Sequence, residues 1–388
     1  MRDLGRVLWR ELGVISRRPL LWIVTLGVPL FSALLMTTIF GGGQMRELPI
    51  GVIDNDFSAS SRALIRTIDS SPTLSVTHHF TEPSEALRAV RSRQVYGYVV
   101  IPRDFSRDMT SGSRVEIPYY YHYALLSIGA QVESTLRTLL TMATLKPLIL
   151  TAQEMAISEQ MAEEFLAPLN TSPYPLGNPQ LDYHTYLSEP FFFVMLQIVV
   201  MLTVVYAVGS EVESGSAKEW LEKARGNMLV ALVGKLFPYA AVFVATSLAG
   251  LCILYLPSPP SEHSALLWLA VATIGLVVSS MAVALFIFSL FPAMGFVISA
   301  VSMIGSLGAT LSGVTFPLAS MYPIFRYLAF ALPIRHFTLI SQNLLYTEGN
   351  LGAVWWNVAL LAGFTLLPML TTRRLKRVIC SGKYENYA

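Results

Sequence analysis

The residues of this chain whose types and spacing could do chemistry lie in three places, and the most telling is SEVESGSAKEWLEKARGNMLVALVGKLFPY, residues 210–239. There Glu211, Glu213, Glu219 and Glu222 alternate with Lys218, Lys223 and Arg225 around Trp220 and Leu221. Such a run makes a polar helix with a small apolar patch, suited either to docking on a partner or to lying solvated in a loop. A second place is the set His78, His79, His122 and His184. Imidazoles are the commonest metal ligands, but neighbours on a strand point to opposite faces, so His78 and His79 form a poor joint pair and surface or packing roles fit better. The third is VIDNDFSAS, where Asp54, Asp56 and Ser58 resemble a cation or catalytic cluster. Asp after a strand more often closes a turn and caps the helix that follows.

Other signatures are missing. No GxxxxGK[ST] loop occurs, and the nearest strings, GNMLVALVGK and SGSAKEW, lack the spacing and the hydroxyl that would cradle phosphates. Any ATP must therefore be hydrolysed by another chain. HExxH, GxSxG and zinc-type Cys/His spacings are also missing, so no catalytic residue and no metal ligand is assigned. Cys252 and Cys380 fall on segments near opposite faces of a membrane, which argues against a disulfide.

The elements that must carry these residues are set by composition. Hydrophobic residues make up 53% of the chain and charged residues 13%, about half the charged share of an average soluble domain. A net charge of +2 is too small to recommend a nucleic-acid partner. Neutral runs long enough to cross a bilayer lie at 20–40, 190–209, 232–256, 265–290, 295–315 and 353–370. Arg2, Arg6, Arg10, Arg17 and Arg18 precede the first; Arg373, Arg374, Lys376, Arg377 and Lys383 follow the last. Both termini are thus expected in the cytoplasm, as an even number of spans requires.

The first run is read as a retained anchor, being long for a signal peptide. Before it, Leu4, Val7, Leu8, Leu12 and Ile15 recur at helical spacing with Arg6, Arg10, Glu11 and Arg17 turned largely elsewhere. This amphipathic helix either lies on the cytoplasmic surface or caps its own membrane helices. Lys235, close to the start of a span, is expected to snorkel to the headgroups.

Five domains follow: 1–19, amphipathic helix; 20–41, first span; 42–187, extracytoplasmic; 188–370, five further spans; 371–388, basic cytoplasmic tail. In the outer domain LPIGVID, LSVTHHF, VYGYVVIP and VEIPYYYHY read as strands, and SASSRALIRTIDSS and PSEALRAVRSR as helices, giving a small α/β sandwich. A long helix from Ser127 to about Leu166, kinked at Pro147, and an irregular linker LNTSPYPLGNPQLDYHTY complete it. Near the other end, residues 314–340 hold Pro317, Pro323 and Pro333 with Arg326, Arg335 and His336 in an apolar run. These are expected to form short re-entrant helices on the outer side. The fold class is an α-helical membrane protein with six transmembrane helices, an N-terminal amphipathic helix, an outer re-entrant segment and an inserted α/β extracytoplasmic domain.

Several strings together resemble the permease subunits of type-2 ABC exporters with a large domain between the first two spans. Glu211, Glu213, Gly215 and Ser216 match a Glu-x-Gly-[Thr/Ser] stretch leading into a coupling helix, and Gly234, Lys235, Leu236, Pro238 and Tyr239 match the string that opens the next span. The outer domain is similar at Gly97, Ile101, Pro102 and Phe105, and the late segment at Gly313, Phe316, Pro317 and Met321. Val212 departs from the pattern, where Arg is usual.

The resemblance implies coupling to an ATPase through residues 211–225, with Glu211, Glu213, Gly215, Ser216, Glu219 and Trp220 in that role. It implies a substrate path along Phe191, Phe192, Met195, Gln197, Met201, Met303 and Ser306, and an outer gate at Phe316, Pro317 and Met321. A lining of Met and aromatic side chains adapts to apolar or amphipathic small molecules or lipids. No cofactor is expected on this chain; ATP and magnesium would sit on the partner. The partners implied are a cytoplasmic ABC ATPase subunit, a second permease chain, identical or paralogous, the lipid bilayer of a bacterial inner membrane, and optionally a periplasmic adaptor. The linker also resembles large-loop membrane proteins of the phage-receptor type, which keeps open a non-transporting receptor or scaffold. No span carries a charged ring or filter of the kind an ion channel needs.

Overall fold

Apolar side chains run almost unbroken through the membrane-length segments of this chain, and alternate with period two in short stretches between residues 48 and 121. The computed structural model divides accordingly. It describes residues 2–42, 45–111, 115–122, 126–154, 184–256, 263–346 and 351–382. By contacts it forms two compact units, Gln44–Tyr174 and the remainder.

Helix α1 spans Arg2–Ser16. The first membrane-length helix, α2, spans Pro19–Ile39; a π-helical turn over Ile23–Gly27 precedes Pro29, whose missing N–H interrupts the ladder.

In the inserted unit the order is β1 (Leu48–Asp54), α3 (Ala59–Asp69), β2 (Leu74–His79), α4 (Pro83–Arg91), β3 (Gly97–Ile101), α5 (Phe105–Thr110), β4 (Tyr119–Tyr121) and α6 (Leu126–Glu154). The sheet order is β2-β1-β3-β4, with β1 parallel to both β2 and β3, and β4 antiparallel to β3. Alternation sends Ile50, Val52, Val99 and Ile101 to one face, under α3, α5 and α6. Ile53 and Tyr98 go to the other, under α4. The last strand is shorter than VEIPYYYHY implied, because only its three tyrosines pair with β3.

The Asp54 cluster is a cap. Ser58 Oγ accepts from the Ser61 N–H at 3.0 Å, and Asp54 accepts from the Asp56 and Phe57 amides at 3.0 Å each. Asp56 reaches the first turn of α5 through the Ser106 N–H at 3.1 Å. His78 and Phe80, two residues apart on one face, stack. Among the described residues no group of His, Cys, Asp and Glu is placed to hold a metal. The expected helix beyond Glu154, and most of the linker after it, lie outside the described residues.

The membrane unit resumes with α7 (Tyr186–Glu213), then α8 (Ala217–Lys223), α9 (Met228–Tyr255), α10 (His263–Leu290), α11 (Met294–Leu311), α12 (Pro323–Phe330), α13 (Pro333–Tyr346), α14 (Leu351–Phe364) and α15 (Leu367–Ser381). Among the described residues six helices are long and apolar enough to cross a membrane: α2, α7, α9, α10, α11, and α14 with α15 over Val354–Ser381. Burial ranks them. About 72% of α7's most apolar window is buried against 28% for α2 and 22% for the last, so α7 is the central post. Its start is earlier than 190, and His184 belongs to this unit instead of the outer one. His184 is buried, Nε2 on the Leu254 carbonyl at 2.7 Å and Nδ1 on Ser188 Oγ at 3.0 Å. The basic residues Arg373 to Arg377 sit on the regular helix α15, which continues through the expected tail boundary at 371.

The prolines of the late segment start helices instead of breaking one. Pro323 and Pro333 open α12 and α13, where a missing N–H costs nothing, and Pro317 precedes the short turn Leu318–Ser320. Arg326 donates to the Ala319 and Met321 carbonyls at 3.1 and 3.3 Å, and Arg335 to the Ser312 carbonyl. His336 is held between the Phe330 carbonyl and Asn357 Oδ1.

Removing the cap should loosen one place. Ser58→Ala is expected to cost about 1 kcal/mol, read as roughly fivefold faster amide exchange in the first turn of α3. Exchange across α7 should stay unchanged.

Candidate functional site

Four charged side chains meet at one end of the membrane unit. Arg10 and Glu11 come from α1, Glu211 from the last turn of α7 and Lys235 from the second turn of α9. Lys235 Nζ donates to Glu11 Oε2 at 2.7 Å and to Glu211 Oε1 at 3.0 Å. Arg10 grips Glu211 with both guanidinium branches, at 2.7 and 2.9 Å. The Tyr239 hydroxyl donates to Glu11 Oε1 at 2.8 Å, and Ser216 Oγ donates to Glu211 Oε2. Glu11 and Lys235 are each 1% exposed and Glu211 4%.

Two anions and two cations make the group neutral, and every carboxylate oxygen has a donor. That is the condition under which charges tolerate burial. The two hydrogen bonds that Arg10 donates to Glu211 raise the pKa of Arg10 above its ordinary value, so the guanidinium stays charged at any physiological pH.

Backbone geometry brings the groups together. Gly215 (φ +70°) ends α7 in the left-handed conformation, its N–H on the Val212 carbonyl, which turns the chain so that Ser216 faces Glu211. Asn227 caps α9 through the Leu229 amide at 3.1 Å. At Gly234 a Cβ would meet Val7 Cβ at 2.8 Å. The missing side chain there lets α1 lie close enough on α9 for Glu11 to reach Lys235.

Two sequence expectations need correction here. Lys235 does not snorkel to the headgroups, because two carboxylates at hydrogen-bond distance hold it inside. Arg10 and Glu11 do not turn away from the protein; α1 packs on α9, leaving Trp9 and Leu12 exposed, so it caps the bundle.

The same holds for the apolar patch of α8. Trp220 is fully buried, its Nε1–H donates to the Ala231 carbonyl at 3.1 Å, and Lys235 Nζ lies 5.5 Å from its ring. Leu221 is buried too. Trp220 therefore ties α8 to α9, and what α8 leaves exposed is Lys218, Glu219 and Glu222. Lys223 bonds Glu219 at 2.8 Å and holds its carboxyl below the usual range. Glu213 is half-buried. Of the expected 211–225, the separate helix α8 covers 217–223, while Glu211 and Glu213 form the end of α7.

The expected path residues divide into two sets. Phe191 and Met195 on α7, and Met303 and Ser306 on α11, are exposed at one-turn spacing. Phe192, Gln197 and Met201 face the core: Phe192 packs edge-on to Phe193, and Gln197 Oε1 accepts from the Ile334 N–H at 3.0 Å. Of the gate residues Phe316 is exposed, Pro317 caps a turn, and Met321 packs partly on the core.

Sequence reading overlooked Glu189. Its carboxylate is 4% exposed and accepts from Ser341 Oγ at 2.6 Å. With Gln197 it joins α7 to α13. Followed by Pro190 at the start of an apolar run, it resembles an ordinary acidic helix start, and no spacing signals a partner 152 residues away.

Comparison with known proteins adds the following. A family model described as ABC-2 family transporter protein matches residues 19–372. No curated protein matches the chain. The matched span contains Glu211 and Lys235, while Arg10 and Glu11 precede it.

Lys235→Met should leave two buried carboxylates sharing one cation, at a cost of about 3–5 kcal/mol. Glu11→Leu combined with Lys235→Met should recover a large part of that loss. Thermal unfolding of both variants, with Glu11→Leu alone, closes the cycle; additive losses would mean that the two residues are not coupled.

Proposed function

The chain belongs to the ABC-2 transporter family, a family of membrane permease subunits, and from that premise we propose that it exports an apolar or amphipathic small molecule or lipid, powered by a separate ATPase. The proposal places the chain in a bacterial inner membrane with both termini and α8 in the cytoplasm. ATP and magnesium are held by the ATPase subunit, and a second permease chain, identical or paralogous, completes the unit. A periplasmic adaptor is an optional addition.

The observation that carries this reading is the clamp on α8. Trp220 fixes it to α9, and the Ser216–Glu211 bond fixes its start to α7, so a push on its charged edge moves α1, α7 and α9 with it. Breaking the clamp would cost about 3–5 kcal/mol, whereas site-to-site coupling in proteins is typically about 1–3 kcal/mol. The helices therefore shift as a body before the ions part. ATP drives the shift to the extent that it binds the closed ATPase pair better than the open one.

The exposed strip of Phe191, Met195, Met303 and Ser306 is the lining such motion would act on, next to a second chain. Its apolar and adaptable side chains favour apolar cargo over sugars or ions.

The test is co-purification of the ATPase with the membrane chain. Glu219→Lys with Glu222→Lys reverses the exposed edge of α8 and should cut recovered ATPase at least about tenfold while thermal stability holds. Glu213→Ala with Gly215→Ala should abolish export from membrane vesicles and leave insertion intact. Retention of an outer partner and no ATPase by the wild-type chain would favour the receptor or scaffold reading instead.

A further inference from the structure

A second charged feature lies beside the clamp and takes no part in it. Between the start of α9 and the middle of α15 runs an open cleft of about 390 Å³, lined by Arg225, Thr372, Arg373 and Lys376 around Gly226 and Leu229. Its cations are only lightly used. Lys376 Nζ donates to the Gly226 carbonyl at 2.5 Å, leaving two further protons, and Arg225 approaches Asp3 at 3.3 Å from the rim. Among the described residues Arg373 makes no ion pair. Three cations against one rim carboxylate leave an excess of positive charge, while the Thr372 hydroxyl donates to the Met369 carbonyl at 3.1 Å.

Below the cleft the surface becomes apolar on both walls. Leu229, Val233 and Phe237 are exposed at one-turn spacing along α9, and Leu366, which caps α15, is exposed with Met369 and Leu370 in its first turn. Both stripes run from the cations toward the middle of their membrane-length helices, and α9 and α15 touch. A charged mouth continuous with two apolar stripes matches a molecule with a compact anionic head and long hydrocarbon chains.

We propose that this cleft is a binding site for the phosphate headgroup of an anionic phospholipid, whose acyl chains lie along α9 and α15. Arg373 and Lys376 hold the phosphate oxygens by charge-assisted bonds. Basic pockets between membrane helices at the cytoplasmic leaflet act in this way. A free phosphate ion would use the cations but gain nothing from the stripes, and a soluble protein partner would not bury them. Because the lipid contacts Arg225 and Gly226, directly after α8, it braces the loop through which α8 joins α9. The site stands whether or not export is the activity of the chain.

The experiment is native mass spectrometry of the full chain in detergent, titrated with phosphatidylglycerol or with phosphatidylethanolamine of identical acyl chains. The wild type should bind phosphatidylglycerol at least about tenfold more tightly. Arg373→Gln should lower that preference about fivefold and leave the Lys376–Gly226 bond in place; adding Lys376→Gln should remove most of the rest. Arg17→Gln, which deletes a charge in the turn after α1 and outside the lining of the cleft, should have no effect. Equal binding of the two lipids, or an equal loss in Arg17→Gln, would overturn the site. Displacement of phosphatidylglycerol by millimolar inorganic phosphate would make the ligand a free anion and reject the lipid. Unchanged lipid binding in the double variant, with loss of the co-purifying ATPase, would assign the cleft to that protein.

Discussion

Two carboxylates and two cations taken out of water together govern how this membrane unit is put together. None of Glu11, Glu211 and Lys235 tolerates burial alone, since an unpaired charge in a low-dielectric interior costs several kcal/mol. Their mutual neutrality and the added hydroxyls of Tyr239 and Ser216 make the arrangement stable, and the same need for complete pairing makes it specific. Any rotation of α1, α7 or α9 that loses one partner strands the others. The clamped end of the bundle is therefore a joint with one setting, in contrast to the aliphatic contacts along the middle of α7.

The opposite end is joined differently. There Glu189 and Gln197 on α7 meet Ser341 and the Ile334 amide on α13, neutral donors throughout, while prolines begin each short helix. Single hydrogen bonds of these kinds are worth about 1–3 kcal/mol each, against about 3–5 kcal/mol for breaking the clamp, so this end yields more readily than the clamped one. A central post fixed firmly at one end and lightly at the other suits a protein in which force enters at one side of a membrane and an opening forms at the other.

Much of this was legible before the coordinates. Period-two alternation located β1, β2 and β3; neutral runs located five of the six spans to within about four residues, while the last, expected to end at 370, runs on to Ser381; the Ser58 cap and the proline-rich late segment were visible as local chemistry. What stayed hidden was long-range. Lys235 looks like a snorkelling residue because its partners lie 24 and 224 positions away, and Trp220 looks like a docking patch because the carbonyl it bonds belongs to the next helix. An amphipathic pattern also cannot tell a lipid-facing apolar stripe from a protein-facing polar one. On α1 the buried stripe includes Glu11, while Trp9 and Leu12 face outward.

The distance along the chain between Glu11 and Lys235 has a consequence for how the protein is made. At about 5–20 residues per second, the ribosome needs at least about ten seconds after completing α1 to deliver the lysine that neutralises it. Throughout that interval the helix holds an acidic group with nowhere dry to go, and must wait at the water-facing side while α2, the inserted unit and α7 are threaded. Its final docking is therefore a late step of biogenesis, and it reports that the third span has gone in the right way round.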